Sequence, residues 1–392
     1  MKKSIGIIGA GISGLVFANL LMKNSKYDFT IYEKNSSLKL GKGYGLQLST
    51  NSVSVLNKID FKTFIKHNKF NPKKIDFYSL ENSNRICDLD ISQFNYEDVQ
   101  YTTLRRSFLI EFLEERLLSN SIQFNKEIEK INHFNSKIEI TFKGGLSEIF
   151  DYLVISDGIF SLTKSILFNR NIRPKYFGCV AIRGVTKKED LKFVNKNNIS
   201  VFFGPNVHLV VYPVSIGNEL NLTIIKRNIL NQNILNDHSF FKDENNIKNF
   251  IEESFINKND NLKNLFNNIQ DLKCFPVFTS DKIYQPKENN IFFIGDALFA
   301  VPPTFAQGAS QSIESAYELL KILNEDGSNN FNKYYNSRFK RISMVNQRSR
   351  LNYFIFHISN PILVFIRNVI LKIIINNKKF LNKYLGQIYL RK

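Results

Sequence analysis

From Ile5 to Met22 the chain carries no charged residue. The run divides into a short apolar segment, a stretch holding Gly9, Gly11 and Gly14, and a longer apolar segment. Uncharged runs punctuated by glycine predict a buried strand feeding a helix. A β-type segment, Phe29–Tyr32, comes next and stops at Glu33. Gly41–Leu48 then reads as a glycine-punctuated loop, with a short helix near 51–58. Ile75–Leu80 and Arg85–Leu89 alternate apolar and polar positions as paired strands do. Phe108, Phe112, Leu113 and Leu117 recur at helical spacing among Glu111, Glu114, Glu115 and Arg116, which predicts an amphipathic helix over 108–118. Further strands are expected at Lys137–Lys143 and Glu148–Ile155, the second ending in an Asp157–Gly158 turn.

A β-rich block follows from Tyr176 to about Lys226, with strands near Cys179–Val185, Ser200–Phe203, His208–Pro213 and Leu220–Ile225. Helical segments lie between Asn246 and Ile269. Ile291–Ile294 then runs into Gly295–Asp296, a proline-rich loop and a helix over Ser310–Leu323. Asparagine-rich stretches at 195–198, 228–236 and 257–268 read as loops or helix edges, and no internal repeat is visible.

The opening glycines stand in G-x-G-x-x-G spacing between strand and helix, and Glu33 lies nineteen residues beyond Gly14. Each part has a job in binding a dinucleotide. Gly9 permits the tight turn, Gly11 lets the backbone approach a pyrophosphate, and Gly14 lets helix and strand pack closely. The pyrophosphate sits at the positive end of the helix, and the carboxylate takes a ribose hydroxyl. Lys2 and Lys3 ahead of an uncharged run imitate a secretion signal. Three glycines would make a poor membrane helix, however, and a strand follows at once. The segment reads as nucleotide binding.

A length of 392 residues suffices for two domains. Cys87, Cys179 and Cys274 are odd in number and widely spaced, which argues against a disulfide framework and fits a reducing cytosol. No Cys or His spacing suits a metal. The net charge of +18 is uneven: thirteen Lys and Arg residues follow Asp326, and no acidic residue does. Such asymmetry marks a nucleic-acid or membrane-surface contact, or follows from the abundance of lysine throughout. No nucleic-acid fold signature accompanies it, so no nucleic acid is expected. The uncharged run Leu351–Ile366 falls short of the roughly twenty residues that span a bilayer. Beyond Asn360, the residues Arg367, Asn368, Lys372 and Asn376 fall on one helical face. Ile366, Val369, Ile370, Ile373 and Ile374 form a broad apolar side. The preferred expectation is that this side covers the protein's own core; the alternative is a peripheral membrane contact.

With these pieces in order, the chain resembles the single-component FAD-dependent aromatic-ring hydroxylases of the para-hydroxybenzoate hydroxylase type. The resemblance spans nearly the whole chain. It rests on the glycine motif with Glu33, on Asp157–Gly158 in SDGIFSLTKS, and on Gly295–Asp296 in GDALFAVPPTFAQGASQSIESAYELL. Smaller echoes are Arg106 with Leu109 and Leu113, Gly43–Leu48 before Asn51, Arg183–Gly184 and Tyr212–Pro213. The resemblance implies an α/β fold: a Rossmann-type FAD-binding domain (1–70, 97–174 and 275–345), an inserted β-sheet substrate domain (71–96 and 175–274) and C-terminal basic amphipathic helices (346–392).

It also implies a cofactor-binding set. Ser13, Lys34 and Ile128 join Gly9, Gly11, Gly14, Glu33, Asp157, Gly158 and Gly295. Asp296 holds the ribityl chain, and Pro303 stiffens the loop beside the isoalloxazine. Gly308 and Ala309 open a helix whose N–H groups stabilise negative charge on reduced flavin. Arg106 reaches the phosphates or the ribityl region. Three departures stand out: Ala297-Leu298-Phe299 where the family has Ala-Ala-His, Lys164 where an arginine is common, and Ala306 where glycine is frequent.

The implied reaction uses NADPH or NADH to reduce FAD. O₂ then forms a flavin C4a-hydroperoxide, whose distal oxygen passes to a small aromatic or conjugated substrate. A phenolic substrate needs a base. His208 and Tyr212 share one strand face by their even separation, and Arg183 is placed to meet a substrate carboxylate. Each of the three also reads as an ordinary core or sheet residue. Alternatives on this scaffold are a flavin-dependent reductase of isoprenoid double bonds and a non-catalytic membrane-associated flavoprotein. The chain has no tryptophan, which removes the W-x-W-x-x-P signature of flavin halogenases. The expectation is a cytoplasmic enzyme, peripheral at the inner face of a membrane if its tail docks there. Oligomeric state is left open.

Overall fold

The computed structural model describes residues 2–24, 26–38, 44–63, 68–134, 136–255, 259–325 and 330–390. Gly41 and Gly43 of the expected loop, Asn257 and the terminal Arg391 and Lys392 lie outside the described residues. The rest of that loop is not a loop: Gly45–Leu48 is a strand paired with Thr102–Arg105.

The first strand, β1 (Lys3–Ile8), leads through α1 (Ile12–Met22) to β2 (Tyr27–Tyr32), and β1 and β2 pair in parallel. Tyr152–Ile155 and then Ile291–Phe293 extend the sheet on one side, and Ile122–Gln123 closes it on the other. Ile5, Ile7, Leu153, Val154, Ile291 and Phe293 are fully buried, as a parallel sheet covered on both faces requires. Helix Gly308–Leu323 packs on α1.

The strand expected over Glu148–Ile155 is two strands in two sheets, Ser147–Phe150 and Tyr152–Ile155. The break falls at Asp151, whose carboxylate accepts from Ser4 N at 2.7 Å and Ser4 Oγ at 3.0 Å. A polar anchor at that point turns the chain from one sheet to the next.

A seven-stranded sheet runs Gln270–Thr279, Lys175–Lys187, Glu219–Arg227, Val207–Pro213, Ile199–Gly204, Lys74–Ser79, Arg85–Asp90. One face carries a core with Leu209, Leu222 and Ile224, packed under the helices Glu244–Phe255 and Asp260–Asn267. The other face carries Phe77, Val201, Phe203 and Tyr212, packed against the C-terminal helices.

Asn330–Phe356 is one helix of 27 residues, so a division at 345/346 would cut through it. The chain offers no proline until Pro361, where Asn360 Oδ1 accepts from Ile362 N at 3.0 Å and Leu363 N at 3.2 Å and starts the helix Pro361–Ile375. This helix sits the other way round from the preferred expectation. Arg367 faces inward, its guanidinium 4.8 Å from the Phe203 ring centroid, while Ile362, Phe365, Ile366 and Ile373 face solvent. Phe203 and the Ile355 carbonyl, 3.4 Å from Arg367 Nη1, supply what a buried guanidinium needs. Among the described residues no helix is long and apolar enough to cross a membrane.

Candidate active site

The glycine turn is built to tolerances that only glycine meets. Gly9 adopts φ +99°, and a Cβ there would lie 2.8 Å from Asp157 Cα. A Cβ on Gly14 would lie 2.2 Å from Gly9 O and 2.7 Å from Ser156 Oγ. Ser156 Oγ itself donates to the carbonyls of Ile8 and Gly9, both at 2.8 Å, which fixes the two strands' ends together. Gly11 is the N-cap of α1 and provides no side-chain cap, so the first-turn N–H groups are left for a ligand. Glu33 is held to the turn: its Oε2 accepts from Ala10 N at 3.0 Å and its Oε1 from Asn35 N at 3.0 Å.

Gly9, Gly11, Glu33, Lys34, Ile128, Asp157 and Gly158 all line one cavity of about 230 Å³ at this turn. Asp157 Oδ2 accepts from Thr163 N at 3.2 Å, but its Oδ1 is buried with no hydrogen-bond partner. Burial pushes this carboxyl above the usual range, opposed by hydrogen bonds from Ser161 and Thr163 and by Lys164.

Ser13 does not line that cavity. It packs beneath the second turn: Gly295 has φ +60°, and a Cβ there would meet Ser13 Oγ at 2.5 Å. Next to it, burial pushes the Asp296 carboxyl up to about 6 against the pull of Lys164. Lys164 is itself buried, its Nζ 5.6 Å from the Phe293 ring centroid, and burial pushes its ammonium below the ordinary value against the pull of Asp157, Asp281 and Asp296. The helix after the proline loop begins at Gly308, where a Cβ would meet nothing within 4 Å. Its N-cap Gln307 supplies no side-chain cap; Gln307 Nε2 turns instead to Ser49 Oγ at 2.9 Å. Ala306 takes the left-handed conformation, φ +51°, so the glycine frequent at this place is a conformational need that alanine meets at a cost of about 1 kcal/mol.

Sheet register places the expected catalytic residues on one face. Arg183 pairs with Thr223, Thr223 with Val210 and Val210 with Val201, so these four side chains form one row. His208 and Tyr212 project from the same side of their strand, two positions either way from Val210. Of the three, His208 lines a largely apolar cavity of about 210 Å³, with Gln47, Tyr101 and Val210, the loop Pro303–Ala306, and Leu371 and Ile374 from the C-terminal helix.

Tyr212 lies buried just behind, where desolvation pushes its hydroxyl up to about 12 while Arg183 and Gln47 pull it back. Gln47 Oε1 also accepts from Tyr101 Oη at 2.9 Å. Arg183 is farther off, its guanidinium 5.6 Å from the Tyr44 ring centroid. The adjacent arginines part company: Arg105 pairs with Glu219, whereas Arg106 opens the helix Arg106–Glu114 with its guanidinium half-buried near Arg183.

His208 Nδ1 lies 2.7 Å from His357 Nε2. Both imidazoles are buried, and desolvation holds His208 well below its ordinary value and His357 at about 3. His357 also lines a second cavity of about 480 Å³ that reaches the surface beside Arg227, Ile229 and Phe354. The sequence carried no signal for this partner, which stands 149 residues away. Gln47 and Tyr101 were missed for the same reason: their meeting depends on the fold.

Comparison with known proteins bears on the readings of this scaffold. The NAD(P)-binding Rossmann-like domain family matches residues 7–40. Over 356 residues the chain is 22% identical to the 6-hydroxynicotinate 3-monooxygenase of Pseudomonas fluorescens, covering 89% of this chain and 90% of that protein. It is likewise 22% identical over 364 residues to the 3-amino-4-hydroxybenzoate 2-monooxygenase PtnB3 of Streptomyces platensis, covering 91% and 89%. Klebsiella pneumoniae HpxO, solved with FAD and uric acid, superposes with a TM-score of 0.84 at 17% identity, over 98% of this chain and 97% of that one. A salicylate hydroxylase substrate complex superposes with a TM-score of 0.80 at 18% identity, over 100% and 96%. Over about nine-tenths of its length the chain is similar in sequence to these monooxygenases, and it shares the fold of the FAD-bound HpxO structure.

The residues present fit that cofactor. Gly9 and Gly14 leave no room for a Cβ while Gly11 has space for one, Asp157 Oδ1 is orphaned at the cavity wall, and the helix at Gly308 begins in open space.

Proposed function

We infer that the protein is an FAD-dependent monooxygenase that uses NAD(P)H and O₂ to hydroxylate a small aromatic or conjugated substrate. The observation that carries this reading is the apolar cavity that brings His208, Gln47 and Tyr101 against the Pro303–Ala306 loop. Bound FAD supplies the electron transfer from NAD(P)H and the activation of O₂. Glu33, Asp157 and the uncapped start of α1 would hold its nucleotide end; Asp296, Gly308 and Ala309 would hold the reactive end. The apolar walls exclude water and orient a flat ring. The three cysteines are all free, in keeping with a reducing compartment such as the cytoplasm.

His208 is read as the acceptor of a substrate hydroxyl proton, because it is the ionisable nitrogen at the cavity wall, held neutral by burial. His357 is read as a positioning and relay residue, passing the proton from His208 Nδ1 towards the surface cavity. Replacement of His357 by Phe interrupts the relay and is expected to slow turnover roughly a hundredfold at neutral pH, the lower range for lost acid–base assistance. The deficit should shrink as pH rises towards the substrate's own pKa, where the hydroxyl ionises unaided. A loss of equal size at every pH would mean that His357 is only structural.

The reading as a whole is tested by the visible spectrum of the purified protein, followed anaerobically as NADPH and then NADH are added. Flavin absorbance that bleaches, faster with an aromatic effector present, is the expected result. Bound flavin that neither reductant bleaches would sink the monooxygenase reading in favour of a non-catalytic flavoprotein.

A further inference from the structure

The helix Pro361–Ile375 turns Arg367, Leu371 and Ile374 inward and leaves a row of large apolar residues on its outer side. Ile362 is 70% exposed, Phe365 69% and Ile373 64%, with Leu363, Ile366 and Ile370 between them. At intervals of three and four residues these form one stripe along the helix. The surface continues past Asn360 onto Phe354 and Ile229, which border the same surface cavity as Leu363. Monomeric soluble proteins rarely leave so large a contiguous apolar area uncovered. The charges that the C-terminal helices contribute to this rim are all positive: Arg350, Lys372, Lys378, Lys379 and Lys383 are exposed, and no acidic residue follows Asp326 in the chain. Asp88, on the sheet edge beneath the helix, is already paired with Lys74 at 2.7 Å.

We propose that this face docks the protein on an anionic lipid bilayer, with the helix lying in the plane of the interface. The charge decides the occupant. A second copy related by a two-fold axis would set the patch against itself and bring lysine rim to lysine rim. A bilayer carrying anionic headgroups meets the same rim with opposite charge while its acyl boundary accepts the apolar stripe. The helix has 15 residues, too few to span, and is anchored on its inner side by buried Arg367. Leu371 and Ile374 of the same helix line the His208 cavity, so docking sets that cavity about one helix diameter, roughly 10 Å, from lipid.

Co-sedimentation of the flavin-loaded full chain with vesicles tests this, using phosphatidylcholine alone and phosphatidylcholine mixed with phosphatidylglycerol. The expected result is binding to the mixed vesicles that weakens with salt, reduced on the order of tenfold or more in Ile362→Glu/Phe365→Glu. Lys372→Glu/Lys379→Glu should lose the preference for phosphatidylglycerol while keeping the flavin spectrum. Three results would overturn the proposal: no sedimentation of the wild type, binding indifferent to phosphatidylglycerol, or equal binding of wild type and Ile362→Glu/Phe365→Glu. Light scattering supplies a further check. A wild-type dimer that the apolar variant dissociates, without vesicle binding, would assign the face to self-association instead.

Discussion

Gly14→Val purifies without flavin. At this position even the first side-chain carbon would stand 2.2 Å from the Gly9 carbonyl oxygen and 2.7 Å from Ser156 Oγ. Neither neighbour can yield. The Gly9 carbonyl belongs to a turn already at φ +99°, and Ser156 Oγ is committed to the Ile8 and Gly9 carbonyls. Helix α1 must therefore move away from β1, and its N-terminal N–H groups leave the pyrophosphate position. A loss on the order of a hundredfold in FAD affinity, about 3 kcal/mol, is the expected minimum. It would be read by fluorescence titration of the apoprotein and by the absence of yellow colour. Because such a variant can also unfold, Gly308→Ala supplies the complement. Its added methyl meets nothing within 4 Å in the protein, so the apoprotein should melt no lower than wild type. It would nonetheless intrude where the cofactor lies against the helix start, and FAD affinity should fall about tenfold. Unchanged affinity in both variants would remove FAD from this site.

How far the sequence foretold this arrangement depended on the range over which each feature is encoded. The nucleotide cradle is local: turn, helix and acidic residue lie within thirty-odd positions, and the two later turns at Asp157 and Gly295 announce themselves as strand ends. Its geometry adds that Ser13 supports Gly295 rather than facing the cavity, a packing fact with no local signature. The strand pattern at 148–155 looked continuous because Asp151 interrupts it by bonding Ser4, which is remote in sequence. The His208–His357 contact could not be read at all, since only the return of the C-terminal helix across the sheet creates it. The helix Pro361–Ile375 was legible in length and period but not in orientation. Periodicity shows that a helix has two faces; which one turns inward was settled here by Phe203 and a carbonyl waiting for Arg367.

Glu314→Ala is expected to cost about 3–5 kcal/mol of stability, the range for orphaning a buried charge partner. Glu314 is the hub that ties the C-terminal helices to the nucleotide-binding core. Its Oε1 accepts from Arg338 Nη1 at 2.9 Å and Arg341 Nε at 2.8 Å, and its Oε2 from Arg341 Nη2 at 2.6 Å and Asn51 Nδ2 at 2.8 Å. Arg341 then reaches the Gln387 and Ile388 carbonyls at 2.8 and 2.9 Å, so one carboxylate joins four segments of the chain. Both arginines are almost wholly buried, and after the substitution Arg338 keeps Glu318 at 2.9 Å while Arg341 keeps only carbonyl acceptors. The loss should therefore come from stranded charge rather than from missing volume, and that can be separated. Glu314→Leu combined with Arg341→Met removes the charge together with its partner and should cost less than Glu314→Ala alone. Urea denaturation of the apoproteins, followed by far-ultraviolet circular dichroism, gives the comparison. A double variant at least as unstable as Glu314→Ala would show that the hub's contribution is packing and hydrogen bonding. The expected order, with the double variant nearer to wild type, would assign the cost of Glu314→Ala to the Arg341 guanidinium left buried without its partner, and would show that apolar packing can hold the long helix against the core in the pair's place.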